Sequence, residues 1–277
     1  MASAAMSRSN ISDLDTSVPH PARRYNYWLG GKDNFAADRI SGDEIAAIWP
    51  PIRTAVWENR KFLRRAVTYA ARERGIRQFL DIGTGLPTAE NTHEVAQRID
   101  PTCRIVYVDN DPHVLVHARA LLTSTPEGKT AYVDADVRDP ERILQDGDLK
   151  DTIDLRQPVA LMLVALLHFL PDSDNPYAVV DAYKNALAPD SLLVLSHGSY
   201  DLMETEPAEI LRSRGYSGAD FYGRTRKEVE DFFDGMEIVG SGKEPSLVSE
   251  WNRNPEVDGE APDPKEVSFW GGVGLKT

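Results

Sequence analysis

Three acids follow three successive apolar stretches. Asp81 lies in FLDI, two residues ahead of Gly83 and four ahead of Gly85. Asp109 ends RIVYVD and precedes Asn110 and Asp111. Asp134 and Asp136 follow TAYV, with Val137 next. Alternate glycines allow close approach of a ligand to the backbone. A dinucleotide turn requires G-x-G-x-x-G, with a third glycine and helix N–H groups facing a pyrophosphate. Here Thr88 holds the third glycine position, and Pro87 before it has no N–H to offer. An acid two residues ahead of the first glycine repels a pyrophosphate and attracts a cation. The row of acids therefore suits a ligand with an ammonium, a ribose diol and an amino-purine. Competing readings exist. Asp81 could cap its own loop. Asp134 or Asp139 could replace Asp136, although Asp139 precedes Pro140 and has the position of an N-cap.

Other reactive side chains are sparse. His113 and His117 are four apart, but the segment HVLVH lacks the acid of HExxH and shows no third ligand, so no metal is expected. His168 follows a long apolar run; it is a candidate general base or a structural hydrogen-bonding group. His197 ends the next run. No Ser-His-Asp or Cys-His set is readable, and Cys103 is the single cysteine, which forbids an internal disulfide and fits a reducing cytoplasm. Upstream, Tyr25, Tyr27 and Trp28 are either core or a lid stacking near a cationic ligand, with Tyr27 the candidate catalytic aromatic. Gly30 and Gly31 lead into Lys32, Asp33 and Asn34, which predicts a polar loop entering the site.

Strand and helix patterns place these residues. Residues 1–18 have no periodicity and are expected to be a flexible tail. Residues 19–75 predict a helical cover: a short helix within 20–34 that ends at Gly30 and Gly31, a second over 35–49 stopped by Pro50 and Pro51, and a long amphipathic one over 52–74. Residues 76–277 alternate. Strands are predicted over 76–82, 104–108, 130–134, 159–167 and 191–197. Helices are predicted over 88–99, 112–122, 140–145 and 176–187. A helix over 225–233, a strand over 236–239, an acid- and proline-rich loop and a last strand over 267–275 complete the chain. In such parallel sheets ligands bind at the carboxyl ends of the strands, where the three acids lie.

The 277 residues carry a net charge of -13 and 41% apolar residues. The acidity argues against nucleic acid and anionic membrane partners. The longest apolar run, 159–167, is far short of the roughly 20 residues needed to span a bilayer. A protein without membrane or nucleic-acid partners, acting on a small molecule, is expected.

S-adenosylmethionine (SAM) carries the ammonium, the diol and the amino-purine together. The segments ARRYNYWLGGKDNFAADR, QFLDIGTGLPTAENTHEVA, RIVYVDNDPHVL, AYVDADVRDP, PVALMLVALLHFLPD, LLVLSHGS and SFWGGVGL resemble a bacterial SAM-dependent methyltransferase family first catalogued as a domain of unknown function. The resemblance implies an α/β, Rossmann-like, seven-stranded and mostly parallel sheet with an antiparallel last strand. It implies SAM as cofactor and names no acceptor. It implies that Asp81 holds the methionyl ammonium, Gly83 and Gly85 admit the ligand, Asp109 accepts from the ribose, Asn110 lies along the adenine, Asp136 accepts from the adenine amino group, Val137 meets the ring and Ala165 offers its carbonyl. Lys32 or Arg24 would meet the methionyl carboxylate. A SAM-binding sensor without methyl transfer and a dinucleotide oxidoreductase are the competing functions.

Overall fold

The computed structural model describes residues 15–88, 90–121, 123–213 and 221–277. Most of the expected tail lies outside the described residues. The cover consists of α1 (Pro21–Trp28), α2 (Ala36–Ile48) and α3 (Ile52–Thr68), the last continued by a π-helical turn over Tyr69–Glu73. The alternating region follows as β1 (Gln78–Ile82), α4 (Thr92–Ile99), β2 (Arg104–Asp109), α5 (Pro112–Leu121), β3 (Lys129–Asp134), α6 (Pro140–Gln145), α7 (Gly147–Lys150), β4 (Ala160–Val164), α8 (Pro176–Ala186) and β5 (Leu192–Gly198). Then come α9 (Thr205–Ser213), α10 (Arg226–Asp231), β6 (Glu237–Val239), β7 (Ser246–Leu247), α11 (Pro255–Asp258), α12 (Pro264–Val267) and β8 (Phe269–Leu275).

The strands run in the order β3-β2-β1-β4-β5-β8-β6. Pairing is parallel from β3 to β5, and β8 is antiparallel to both β5 and β6. This seven-strand path has the expected form. The two-residue β7 pairs with β8 off the path and makes the sheet eight-stranded. Strand order reverses between β1 and β4, which opens a crevice at their carboxyl ends.

Side chains alternate between two cores. On β4 and β5, Ala160, Met162, Leu192 and Val194 face one core with α3, while Leu161, Leu163, Leu193 and Leu195 face the other with α8 and α10. Such near-continuous apolar runs are what a strand buried on both faces needs. Helix α3 buries Val56, Phe62, Ala66 and Val67 against the first core. It is also tied to the end of the chain. Arg65 Nε donates to the Trp251 carbonyl at 2.7 Å, and Arg253 pairs with Glu58 at 2.8 Å.

Several segments differ from the sequence reading. Helix α4 starts at Thr92 rather than Thr88, because Glu94 reaches back to the Asn91 N–H at 2.8 Å and sets the helix start there. Strand β4 stops at Val164, three residues short of the expected end. Ala165 has φ 54° and turns the chain into a short 3₁₀ helix, Leu167–Phe169. The segment 205–213, not expected to be helical, is α9. The acidic loop contains the single turns α11 and α12, capped by Asn254 and Asp263.

Candidate functional site

A cavity of about 470 Å³ lies over the carboxyl ends of β1–β5, beneath α1–α3. Its two ends differ in chemistry. At the β1–β3 ends it is lined by Asp81, Gly83, Gly85, Thr88, Asp109, Asn110, Asp136 and Val137. Toward β5 and β8 it is lined by Trp28, Trp49, Val56, Met203, Phe221 and Phe269.

Asp81 and Asp109 are 5% and 8% exposed. Burial pushes each carboxyl up to about 6, because no cation among the described residues pairs with either one directly. Asp81 Oδ2 accepts from Thr92 Oγ1 at 2.6 Å. Asp109 accepts the Gly85 N–H and the Asp111 N–H, each at 2.9 Å. The second acid therefore holds the first glycine turn in place. Asp136 has a different setting. Arg138 Nε at 2.9 Å and Arg138 Nη2 at 2.6 Å hold its carboxyl down at about 2. Asn110 Nδ2 donates to the same carboxylate at 3.1 Å, joining the ends of β2 and β3.

The two glycines are needed for different reasons. Both have positive φ, 73° at Gly83 and 65° at Gly85. A Cβ on Gly83 would lie 2.6 Å from Leu166, so its missing side chain makes room for Leu166. A Cβ on Gly85 would find only Ala22 of α1, at 4.0 Å, so its space belongs to the cavity.

A buried hydrogen-bond chain joins the cover to the end of β4. The Ala165 N–H donates to Ser196 Oγ at 3.0 Å, Ser196 donates to Asn59 Oδ1 at 2.6 Å, Asn59 Nδ2 donates to the Tyr25 hydroxyl at 2.9 Å, and that hydroxyl donates to the Val56 carbonyl at 3.1 Å. The left-handed turn at Ala165 is thus held by α1 and α3. Tyr25 is a lid residue bound on the cavity wall.

His168 lines the cavity and is 3% exposed. The Gly198 N–H donates to its Nδ1 at 3.2 Å, so the proton of the neutral ring is on Nε2. Burial, with His197 and Arg224 nearby, holds its pKa well below the usual histidine range. This setting does not provide the general base foreseen for His168, since Nδ1 is already engaged and Nε2 carries the proton.

Two foreseen residues lie away from the cavity. The Tyr27 hydroxyl donates to Asp43 at 2.8 Å, and the ring lies under Arg53, on the outer side of the cover. Lys32 is exposed and does not line the cavity. The reason is Asn26, 2% exposed, which folds the loop onto itself. Asn26 Oδ1 accepts from the Asp33 N–H at 3.1 Å and from Asn34 Nδ2 at 2.9 Å. The loop after Gly31 thus closes on α1 and does not enter the site. Arg24, the other foreseen cation, is 4% exposed and does line the cavity.

Several lining residues escaped the sequence reading. Arg60 lines the polar end, close enough to Asp81 to oppose the rise of its pKa. Asn59 and Arg60 sit between Val56 and Leu63 on the buried stripe of α3, and polar residues on that stripe were the available signal. The Thr88 and Ser268 hydroxyls are buried, line the cavity and have no hydrogen-bond partner among the described residues. Polar atoms of a ligand would satisfy them. His113 and His117 pack with ring centroids 4.3 Å apart, and among the described residues no group of three such side chains could hold a metal ion. Burial pushes the Cys103 thiol up to about 11, away from nucleophilic use.

Comparison with known proteins agrees with this geometry. A DUF574 family protein from Streptomyces avermitilis is 41% identical, over 95% of this chain and 99% of that one, with a TM-score of 0.89. A protein of Thermobifida fusca, described as a candidate methyltransferase, is 42% identical over 95% and 97%, with a TM-score of 0.85. The plantazolicin methyltransferase BpumL, solved with S-adenosylhomocysteine, shares the fold at 14% identity over 92% and 95%, with a TM-score of 0.51. No protein of curated function matches. A family model described as S-adenosyl methyltransferase matches residues 7–277, and the chain belongs to that family, whose cofactor is SAM.

Proposed function

We propose that this chain transfers the SAM methyl group to a small acceptor with an apolar body. The observation that carries this reading is the division of one cavity into an acid-lined end at β1–β3 and an aromatic end at β5 and β8. Its volume of about 470 Å³ falls within the range of small-molecule sites, roughly 300–1,000 Å³. An apolar end beside the cofactor end favours transfer over sensing, since a sensor needs no second compartment.

The bound cofactor supplies an electrophilic methyl on a positively charged sulfur. Asp81 accepts from the methionyl ammonium, and Arg60 and Arg24 meet the methionyl carboxylate, with the free Thr88 hydroxyl alongside. Asp109 accepts from the ribose hydroxyls while keeping the Gly85 turn in place. Asn110, Asp136 and Val137 border the purine. Ala165 presents its carbonyl at the junction of the two ends. The cover excludes water and aligns the acceptor. Positioning of this kind can be worth about 7–11 kcal/mol, so the chemistry does not require a strong base.

Calorimetric titration with SAM, S-adenosylhomocysteine and NAD tests the assignment. Saturable binding of the first two and none of NAD is expected. NAD binding without S-adenosylhomocysteine binding would overturn it in favour of a dinucleotide enzyme.

A further inference from the structure

His168 is a fixed polar group at the aromatic end of the cavity, and its direction is set by a chain of hydrogen bonds that begins at Arg224. Arg224 is buried and donates from Nη1 to His197 Nε2 at 3.1 Å. A guanidinium has no acceptor, so His197 carries its proton on Nδ1, which contacts the Gly198 carbonyl at 2.8 Å. The Gly198 N–H then donates to His168 Nδ1 at 3.2 Å. Arg224 is itself fixed by the Leu167 carbonyl at 3.1 Å, the Leu170 carbonyl at 3.0 Å and Asp172 at 2.6 Å. Every bond in this chain fixes the next ring. The last proton, on His168 Nε2, has no partner among the described residues. Phe221 and Phe269 hold the ring, with centroids 4.8 and 5.7 Å from it. A second, independent group at this end also lacks a partner: the hydroxyl of Ser268, a residue 1% exposed.

We propose that His168 is a specificity-determining hydrogen-bond donor, and that the methyl acceptor is an ionised oxygen, carboxylate or phenolate, on an apolar or aromatic body. This rests on the methyltransferase reading. A ring with Nδ1 already accepting and Nε2 protonated can only donate, so the atom it meets must be an acceptor. Among the described residues lining the aromatic end there is no carboxylate to deprotonate a neutral alcohol or an ammonium. An ionised oxygen needs neither. Its lone pair forms the new O–CH₃ bond, the S–CH₃ electron pair leaves with sulfur, and anion plus sulfonium become a neutral ester or ether plus a thioether. No proton has to be removed.

The test uses the full chain saturated with S-adenosylhomocysteine. Titrations with benzoate, phenylacetate and indole-3-acetate are compared with phenethylamine, and ¹⁵N-histidine spectra report the His168 ring. At least one carboxylate should bind saturably and shift the Nε2–H resonance, while the amine should not. His168→Asn keeps an acceptor near the Nδ1 position for Gly198 but cannot reach the cavity; it should lose about tenfold or more in carboxylate affinity. His168→Gln extends an N–H toward the Nε2 position and should retain most of it. An Nδ1–H tautomer in wild type, no binding by any of the three acids, or equal binding by His168→Asn would overturn the proposal. Loss of S-adenosylhomocysteine binding by the wild type would instead overturn the cofactor reading, so the two failures are distinguishable.

Discussion

Ser196 donates its hydroxyl to Asn59 Oδ1 at 2.6 Å across 137 residues of sequence. One side of that bond is α3 of the cover and the other is β5 of the sheet. Because Ser196 Oγ also accepts the Ala165 N–H, cover docking and the β4 turn depend on the same hydroxyl. Replacing Asn59 with Leu leaves the buried Ser196 O–H without its acceptor and the Tyr25 hydroxyl oxygen without its donor. The expected loss is about 2–4 kcal/mol of unfolding free energy. Urea denaturation would measure it, and S-adenosylhomocysteine affinity should fall as well, because the Ala165 turn loosens. Unchanged stability would mean that the cover docks by apolar packing alone.

The two buried carboxyls give cofactor binding a defined pH dependence. In the free protein, burial puts Asp81 and Asp109 at about 6. Below that pH both are protonated, and neither accepts fully from an ammonium or a diol. A bound ammonium pulls Asp81 back toward the ordinary carboxylate range, so binding near pH 6 releases protons. Affinity for S-adenosylhomocysteine should rise from pH 5 to about 7 and level off above. Calorimetry in two buffers of different ionisation enthalpy should show proton release at pH 6 that largely vanishes at pH 8. Asp81→Asn should remove its share of the release. A flat affinity over this range would exclude both acids from the ligand.

Much of this fold could be read in advance because the apolar strands are nearly uninterrupted and each ends in a residue of clear type. Asp81, Asp109 and Asp136 lie at the cavity for that reason. The cover was harder. Its helices were recognisable, but which faces meet the cavity depends on how they dock. Tyr25 and Tyr27 are two apart and so point to different sides, one joined to Asn59 and the other to Asp43. No local pattern tells them apart. Lys32 was misplaced because the fold of its loop depends on buried Asn26, a residue with no distinctive spacing. The role of His168 is set by the Gly198 backbone amide 30 residues away, which no periodicity reveals.

The glycine turn allows a direct comparison. Gly83→Ala adds a Cβ 2.6 Å from Leu166 at a left-handed φ. It should destabilise the fold by about 2–4 kcal/mol from strain and overpacking together. Gly85→Ala meets only Ala22 at 4.0 Å, so its stability cost should be near 1–2 kcal/mol, from φ alone. Its methyl group takes ligand space, however. S-adenosylhomocysteine affinity should therefore fall more for Gly85→Ala than for Gly83→Ala, while thermal stability falls in the reverse order. Identical rankings in both measurements would mean that the turn serves only the fold.

The methionyl carboxylate decides between cations at two depths. Arg60 lines the cavity beside Asp81, while Lys32 is exposed on a loop closed by Asn26. A charge in solvent is screened, and at the surface an ion pair is worth about 0–1 kcal/mol. A guanidinium in a closed site makes charge-assisted bonds worth about 1.5–3 kcal/mol. Arg60→Met keeps the apolar stem and removes the charge; it should weaken S-adenosylhomocysteine by about tenfold or more, since each 1.4 kcal/mol is a factor of ten. Lys32→Ala should leave the affinity within a factor of about two. Adenosine has no carboxylate, so its weaker binding should be the same in wild type and Arg60→Met. That last comparison separates loss of the carboxylate contact from a general collapse of the site. If adenosine binding falls in parallel with that of S-adenosylhomocysteine, Arg60 supports the fold of the α3–β1 corner and does not hold the ligand.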